Sequence, residues 1–136
     1  MEKMSNKAKG QAFEERAKMI LEQRLGVVLE SEVKLNDHKF DLVSSDRSII
    51  IECKSLEWTA SGNIPSAKLD NLDKAVNFLA KESEAPRKIL CMSRSTCSQK
   101  NESLAEYFVR TSKFLPHTNV SIYEIDDKGN VKEIKR

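Results

Sequence analysis

The sequence predicts a single α/β domain over residues 1–136, a mixed central sheet flanked by helices in the order αβββαβαββ. Three observations lead there. Ile49, Ile50 and Ile51 in succession describe a strand buried on both faces. Apolar residues recur at helical spacing in three separate segments. Between these segments lie short β-rich runs bounded by Asn, Asp, Ser and Gly.

Residues 1–9 read as a loose polar lead. Residues 11–25 read as a helix with Phe13, Ala17, Ile20 and Leu21 on one face, ended by Gly26. Residues 27–35, 40–44 and 48–54 read as three strands, with turns at Asn36-Asp37 and Ser44-Ser45-Asp46. A polar loop over 57–65 leads into a second helix that runs to about residue 81. Its stripe is Leu69, Leu72, Val76 and Leu79, and Pro65 suits its first turn. Residues 87–92 form a fourth strand. Residues 100–113 form a third helix, with Leu104, Tyr107, Phe108 and Thr111 at helical spacing. Residues 120–125 form a fifth strand, and Asp127-Lys128-Gly129-Asn130 turns it into a short last one, so that a C-terminal helix and β-hairpin extend the core.

Composition narrows the class. The chain is long enough to bury a core without staples. It has no apolar run near the roughly 20 residues that a membrane helix needs, and its N-terminus has lysines without an apolar stretch behind them. A cytoplasmic protein is expected. Cys53, Cys91 and Cys97 are an odd set whose spacing fits no zinc pattern, as expected of reduced cysteines. The net charge of +2 comes from 23 basic and 21 acidic residues. Such a balance permits nucleic-acid binding only where the charges are segregated.

The chemistry is concentrated in Ser48-Ile-Ile-Ile-Glu-Cys-Lys54. Along a strand, Ile50, Glu52 and Lys54 share a face, and two charges at the end of a buried strand need partners or a task. A tight hairpin at 44–47 would set Val43 opposite Ser48 and Asp41 opposite Ile50, with Asp41 diagonal to Glu52 on the same face. Diagonal neighbours lie roughly 7–8 Å apart, within reach of one shared cation. Carboxylate oxygens suit Mg2+. The same three residues are also compatible with a structural ion-pair cluster. No Ser–His–Asp set is visible, and His38 and His117 stand isolated.

Asp41, ten residues, then Glu52-Cys53-Lys54, with a glutamate-bearing helix upstream in Gly10-Gln-Ala-Phe-Glu-Glu-Arg16, resembles the PD-(D/E)XK nuclease superfamily. The restriction-endonuclease-like αβββαβ core of that family matches the first two-thirds of the chain in order. The family's proline is absent, and Phe40 stands in its place. The resemblance implies an Mg2+-dependent endonuclease of DNA, with Mn2+ able to substitute. Asp41 and Glu52 would hold metal, Lys54 would position or activate the attacking water, and Glu14 would complete the site, with Glu15 as the competing choice. The backbone carbonyl of Cys53 would be a further metal ligand. The family spans restriction-type enzymes and archaeal Holliday-junction resolvases, so a branched-DNA resolvase is an alternative. So are an RNA-cutting nuclease and an inactive nucleic-acid-binding or partner-binding module of the same fold.

Substrate-facing candidates follow the Glu52 strand directly: Trp58, Asn63, Ser66 and Lys68, polar or aromatic groups suited to a nucleic-acid backbone. By type, Trp58 is more often a half-buried packing residue than a nucleic-acid contact. Lys7, Lys9, Lys34, Lys39, Arg87, Lys88, Arg94 and Lys100 are available to rim a cleft. Lys132, Lys135 and Arg136 read as a solvated edge that discourages sheet pairing. A small domain that cuts both strands implies a homodimer.

Overall fold

A computed structural model describes residues 5–59, 61–63, 66–82 and 85–135. Pro65, Arg136 and the first four residues of the polar lead lie outside the described residues. The elements are α1 (Asn6–Leu25), β1 (Leu29–Leu35), β2 (His38–Ser44), β3 (Ile49–Lys54), α2 (Ser66–Lys81), β4 (Arg87–Ser93), α3 (Leu104–Thr111), a 3-10 turn (Leu115–His117), β5 (Val120–Ile125) and β6 (Val131–Ile134). The six strands form one mixed sheet in sequential order. β3, β4 and β5 are parallel, and antiparallel hairpins flank them on both sides. The α/β class, the αβββαβ order and the added helix and hairpin are as expected.

Several boundaries differ. α1 starts five residues before the expected 11, because Ser5 caps it and accepts a hydrogen bond from the Ala8 N–H. Gly26 ends it in the left-handed region, at φ 66°. α3 is shorter than 100–113. Ser103 caps it in a reciprocal box with Glu106, and Thr111 is exposed rather than core-facing.

Helices cover both sheet faces. On one, Phe13, Ala17 and Leu21 of α1 pack on Leu29, Leu42, Ile49, Ile51, Ile89, Cys91, Tyr123 and Ile125. On the other, Leu72, Val76 and Leu79 of α2 and Leu104 and Phe108 of α3 pack on Val43, Ile50, Leu90, Met92 and Ile122. Ile50 and Ile51 therefore face opposite cores, each fully buried. Burial of each such side chain is worth roughly 1.5–3 kcal/mol, so this central strand is a firm platform for the residues that follow it.

The β1–β2 hairpin departs from regular alternation. Leu29 and Leu42 pack on the α1 side, whereas Val33, Leu35 and Phe40 pack on the α2 side. Both strands roll over between these positions, where Glu32 takes a left-handed backbone at φ 55° opposite Asp41. The distal hairpin then leans onto α2. Asn36 in its turn donates to both carboxylate oxygens of buried Glu82, and His38 stacks on Phe78 with ring centroids 3.9 Å apart.

Candidate metal centre

The β2–β3 turn sets the first part of the site. It occupies residues 45–48, one position later than the expected hairpin at 44–47. Asp46 accepts from the Ser48 N–H and from the hydroxyls of Ser44 and Ser48, and Arg47 takes φ 65°. The resulting register pairs Leu42 with Ile51 and Val43 with Ile50. Continued by one step, it brings Asp41 level with Glu52, not diagonal to it. The expected register was off by two residues, which preserves the side-chain face.

Ladder pairing stops at Leu42, and side chains replace it. The Asp41 N–H donates to Glu52 Oε1 at 3.1 Å, and the Cys53 N–H donates to Asp41 Oδ2 at 2.8 Å. The two acids are thereby locked to each other's strands. Because β1 and β2 roll over at this point, the strands open where the acids stand. Carboxylate oxygens of Glu14, Glu32 and Asp41 lie within 4.8 Å of one another. Glu14 enters from α1, on the flank of the buried Phe13–Ala17–Leu21 stripe, whereas Glu15 is exposed.

Electrostatics identify the group as short of positive charge. Burial and then the Asp41 charge raise the Glu52 carboxyl to about 8, against the Asp41 N–H and Lys54, which lower it. Burial, followed by Asp41 and Glu32, raises Glu14 to about 7. Burial also raises Asp41, despite the Cys53 N–H. The cations at hand are Lys54, whose charge acts on Asp41 and Glu52, and Lys39, whose Nζ lies 3.6 Å from Glu32 Oε2 on the exposed rim. Two of the four carboxyl groups are thus raised toward neutral pH or above, and full ionisation of the cluster calls for added positive charge. All-oxygen donors suit a hard divalent cation.

The structure thus brings together Glu14, Asp41, Glu52 and Lys54. Cys53 contributes its N–H to holding Asp41, and its half-buried thiol packs toward the α1-side core, where burial raises its pKa. Two residues at the site were not singled out in the sequence. Glu32 follows from hairpin arithmetic: a two-residue turn at Asn36-Asp37 pairs Leu35 with His38 and so sets position 32 against 41. His38 is not isolated. Its Nε2 lies 3.6 Å from Glu52 Oε1.

Other candidates lie differently. Trp58 is 7% exposed, with its ring against Tyr107 and its backbone N–H donating to Ser95 Oγ. It belongs to the α2-side core and is not free to stack on a base. Asn63 and Ser66 are exposed, and Lys68 is half-buried in the first turn of α2. Of the basic rim candidates, Lys88 is buried and donates to the Ala80 carbonyl at the end of α2, and Arg94 is tied to Glu124 at 2.8 Å. Lys100 lies over the Trp58 ring, and Arg87 donates to the Tyr123 hydroxyl. The three cysteines are free thiols.

No family model matches the chain, and no curated protein matches it. Among solved structures, it is similar to a chain of the CdiA-CT/CdiI toxin and immunity complex from Burkholderia pseudomallei, with a TM-score of 0.57 and 12% identity over 98% of this chain and 90% of that one. It is also similar to SfsA of Pyrococcus furiosus in complex with Ca2+, with a TM-score of 0.46 and 15% identity over 96% of this chain and 64% of that one. At such identities the likeness is one of fold. No helix is long and apolar enough to cross a membrane among the described residues.

Proposed function

We propose that this chain is a metal-dependent nuclease that hydrolyses DNA phosphodiester bonds, with Mg2+ as the natural ion and Mn2+ as a substitute. The observation that carries the reading is the convergence of the Glu14, Glu32 and Asp41 carboxylates beside buried Glu52, with Lys54 two residues further along the same strand. Acids so placed repel one another unless a cation joins them. The resemblance of Asp41, Glu52 and Lys54 to the PD-(D/E)XK pattern supports the same assignment, as does the αβββαβ order.

Each residue has a definable task. Asp41, Glu52, Glu14 and Glu32 would hold the ion, and the Cys53 carbonyl would add an oxygen. When bound, the ion supplies Lewis acidity toward the phosphoryl oxygen and a more acidic water. Lys54 orients the attacking water or offsets charge that grows on the phosphoryl oxygens. The Cys53 N–H fixes the Asp41 carboxylate, and the Asp41 N–H fixes Glu52, so neither acid has to reorganise during the reaction. Lys68, Asn63 and Ser66, at or just before the start of α2, would contact the nucleic-acid backbone. A homodimer with two sites would allow both strands to be cut.

The test is cleavage of plasmid, branched DNA and RNA by the purified protein with Mg2+, Mn2+ or EDTA, beside Glu52→Ala. Cutting that needs metal and is lost in the variant supports the reading, and the preferred substrate selects among duplex, junction and RNA. Cutting that survives EDTA or Glu52→Ala refutes it.

A further inference from the structure

His38 is the one histidine near the acids, and its surroundings are specific. The ring stacks on Phe78 at 3.9 Å with an interplanar angle of 14°, and meets Phe40 edge-on at 4.5 Å. These contacts leave it little freedom to rotate. Its Nε2 atom is buried and has no hydrogen-bond partner. The polar atom it faces is Glu52 Oε1, 3.6 Å away. That oxygen already accepts the Asp41 N–H at 3.1 Å. A buried, unpaired nitrogen is costly, and a partner just beyond hydrogen-bond distance is the economical remedy. Closing the gap takes a shift of about half an ångström to reach an ordinary N–H···O length.

We infer that His38 is a positioning residue for the metal site: its Nε2–H, clamped by Phe78 and Phe40, holds the Glu52 carboxylate at Oε1. Histidine and carboxylate partners outside a metal's immediate ligands orient those ligands, and their loss typically weakens metal binding about 10–100-fold. The roll of the β1–β2 hairpin toward α2 is what makes this placement possible. Without that roll, His38 would not reach Phe78, and its nitrogen would not come level with Glu52.

This inference rests on the proposed metal site, and Mn2+ binding to the full chain, measured by titration calorimetry and by pulsed electron paramagnetic resonance, tests both. His38→Leu keeps apolar packing against Phe78 and Phe40 but removes the donor. His38→Gln returns an N–H close to the Nε2 position. Thermal melts confirm that both variants fold. The expected result is Mn2+ affinity at least about 10-fold weaker in His38→Leu, recovery to within about 3-fold in His38→Gln, and no directly bound 14N in the wild-type spectrum. Equal affinity in wild type and His38→Leu overturns the positioning role while leaving the metal site standing. A strong 14N coupling lost in His38→Leu overturns it as well, in favour of His38 as a direct ligand. No Mn2+ binding by the wild type removes both the metal site and the role of His38 in it.

Discussion

Two glutamates are buried in this sheet, Glu52 on β3 and Glu124 on β5, and their surroundings are opposite in kind. Glu124 is 2% exposed; one oxygen meets Arg94 at 2.8 Å, and the other accepts the hydroxyl of Ser103, the cap of α3. Glu106 and Lys132 extend that network. Glu52 is 7% exposed, yet it has one backbone N–H, an imidazole out of hydrogen-bond range, and acids for neighbours. A buried carboxylate surrounded by donors ties elements together. A buried carboxylate surrounded by other carboxylates costs stability, and that cost makes sense when a cation is to be bound.

The contrast is broken most severely by removing the acids. Asp41→Ala, Glu52→Ala and Lys54→Ala are each expected to lower cleavage by about 10^3-fold with the melting transition retained, as single-turnover assays and circular dichroism would check. Full activity in any one of them removes that residue from the site. Glu124→Ala should do the reverse. It removes the buried acceptor of Arg94 and of the Ser103 hydroxyl, while Glu106 still contacts both, so the expected loss is about 1–2 kcal/mol of stability in urea titration, with metal affinity unchanged. Weakened Mn2+ binding in Glu124→Ala would mean that the two regions are not separable.

A subtler case is Glu52→Gln without metal. The folded carboxyl is raised to about 8 from an ordinary 4.5, so the protonated form favours folding. That contribution is full below about pH 4.5 and is lost as pH rises through about 8. Glutamine cannot ionise. The variant should therefore exceed the wild type by on the order of 2–4 kcal/mol at pH 8 and differ little at pH 5, as melts at both values would read. A variant less stable than wild type at pH 8 would show that Glu52 is not under electrostatic stress. Metal affinity of the wild type should strengthen from pH 6 to pH 8.5, because Glu14 and Glu52 give up protons over that range. The smallest effect is expected for Lys68→Ala: a few-fold weaker DNA binding and a salt slope reduced by about one, as for loss of one phosphate contact.

Much of the fold was legible because its strongest signals are local. The isoleucine run, the Gly26 stop and the helical stripe of Leu69, Leu72, Val76 and Leu79 each specify their own element. The Asp41–Glu52 register was not, because a Ser44–Asp46–Ser48 hydrogen-bond set places the four-residue turn one position later, at 45–48, and so moves the pairing by two. Glu32 was within reach of turn counting at Asn36-Asp37. The place of His38 was not, since a left-handed backbone at a non-glycine residue switches the hairpin's face, and alternation cannot signal that. Trp58 was misplaced for a different reason. A loop tryptophan has no period by which to tell rim from core, and here it fills the gap beside Tyr107.

The four acids all precede the first parallel crossover in the chain, and this bears on the time course of folding. Glu32, Asp41 and Glu52 meet through two consecutive hairpins, contacts of the kind that close in microseconds. Parallel pairing of β3 with β4 and β5 has to wait for the α2 and α3 connections, which makes it the slower event. The acids therefore gather while water still screens them, and their full repulsion develops only as the core closes. A divalent ion bound there acts on the last stage. It is expected to slow unfolding strongly and to leave the folding rate nearly unchanged, so that only the unfolding arm of a chevron plot moves when Mg2+ is added.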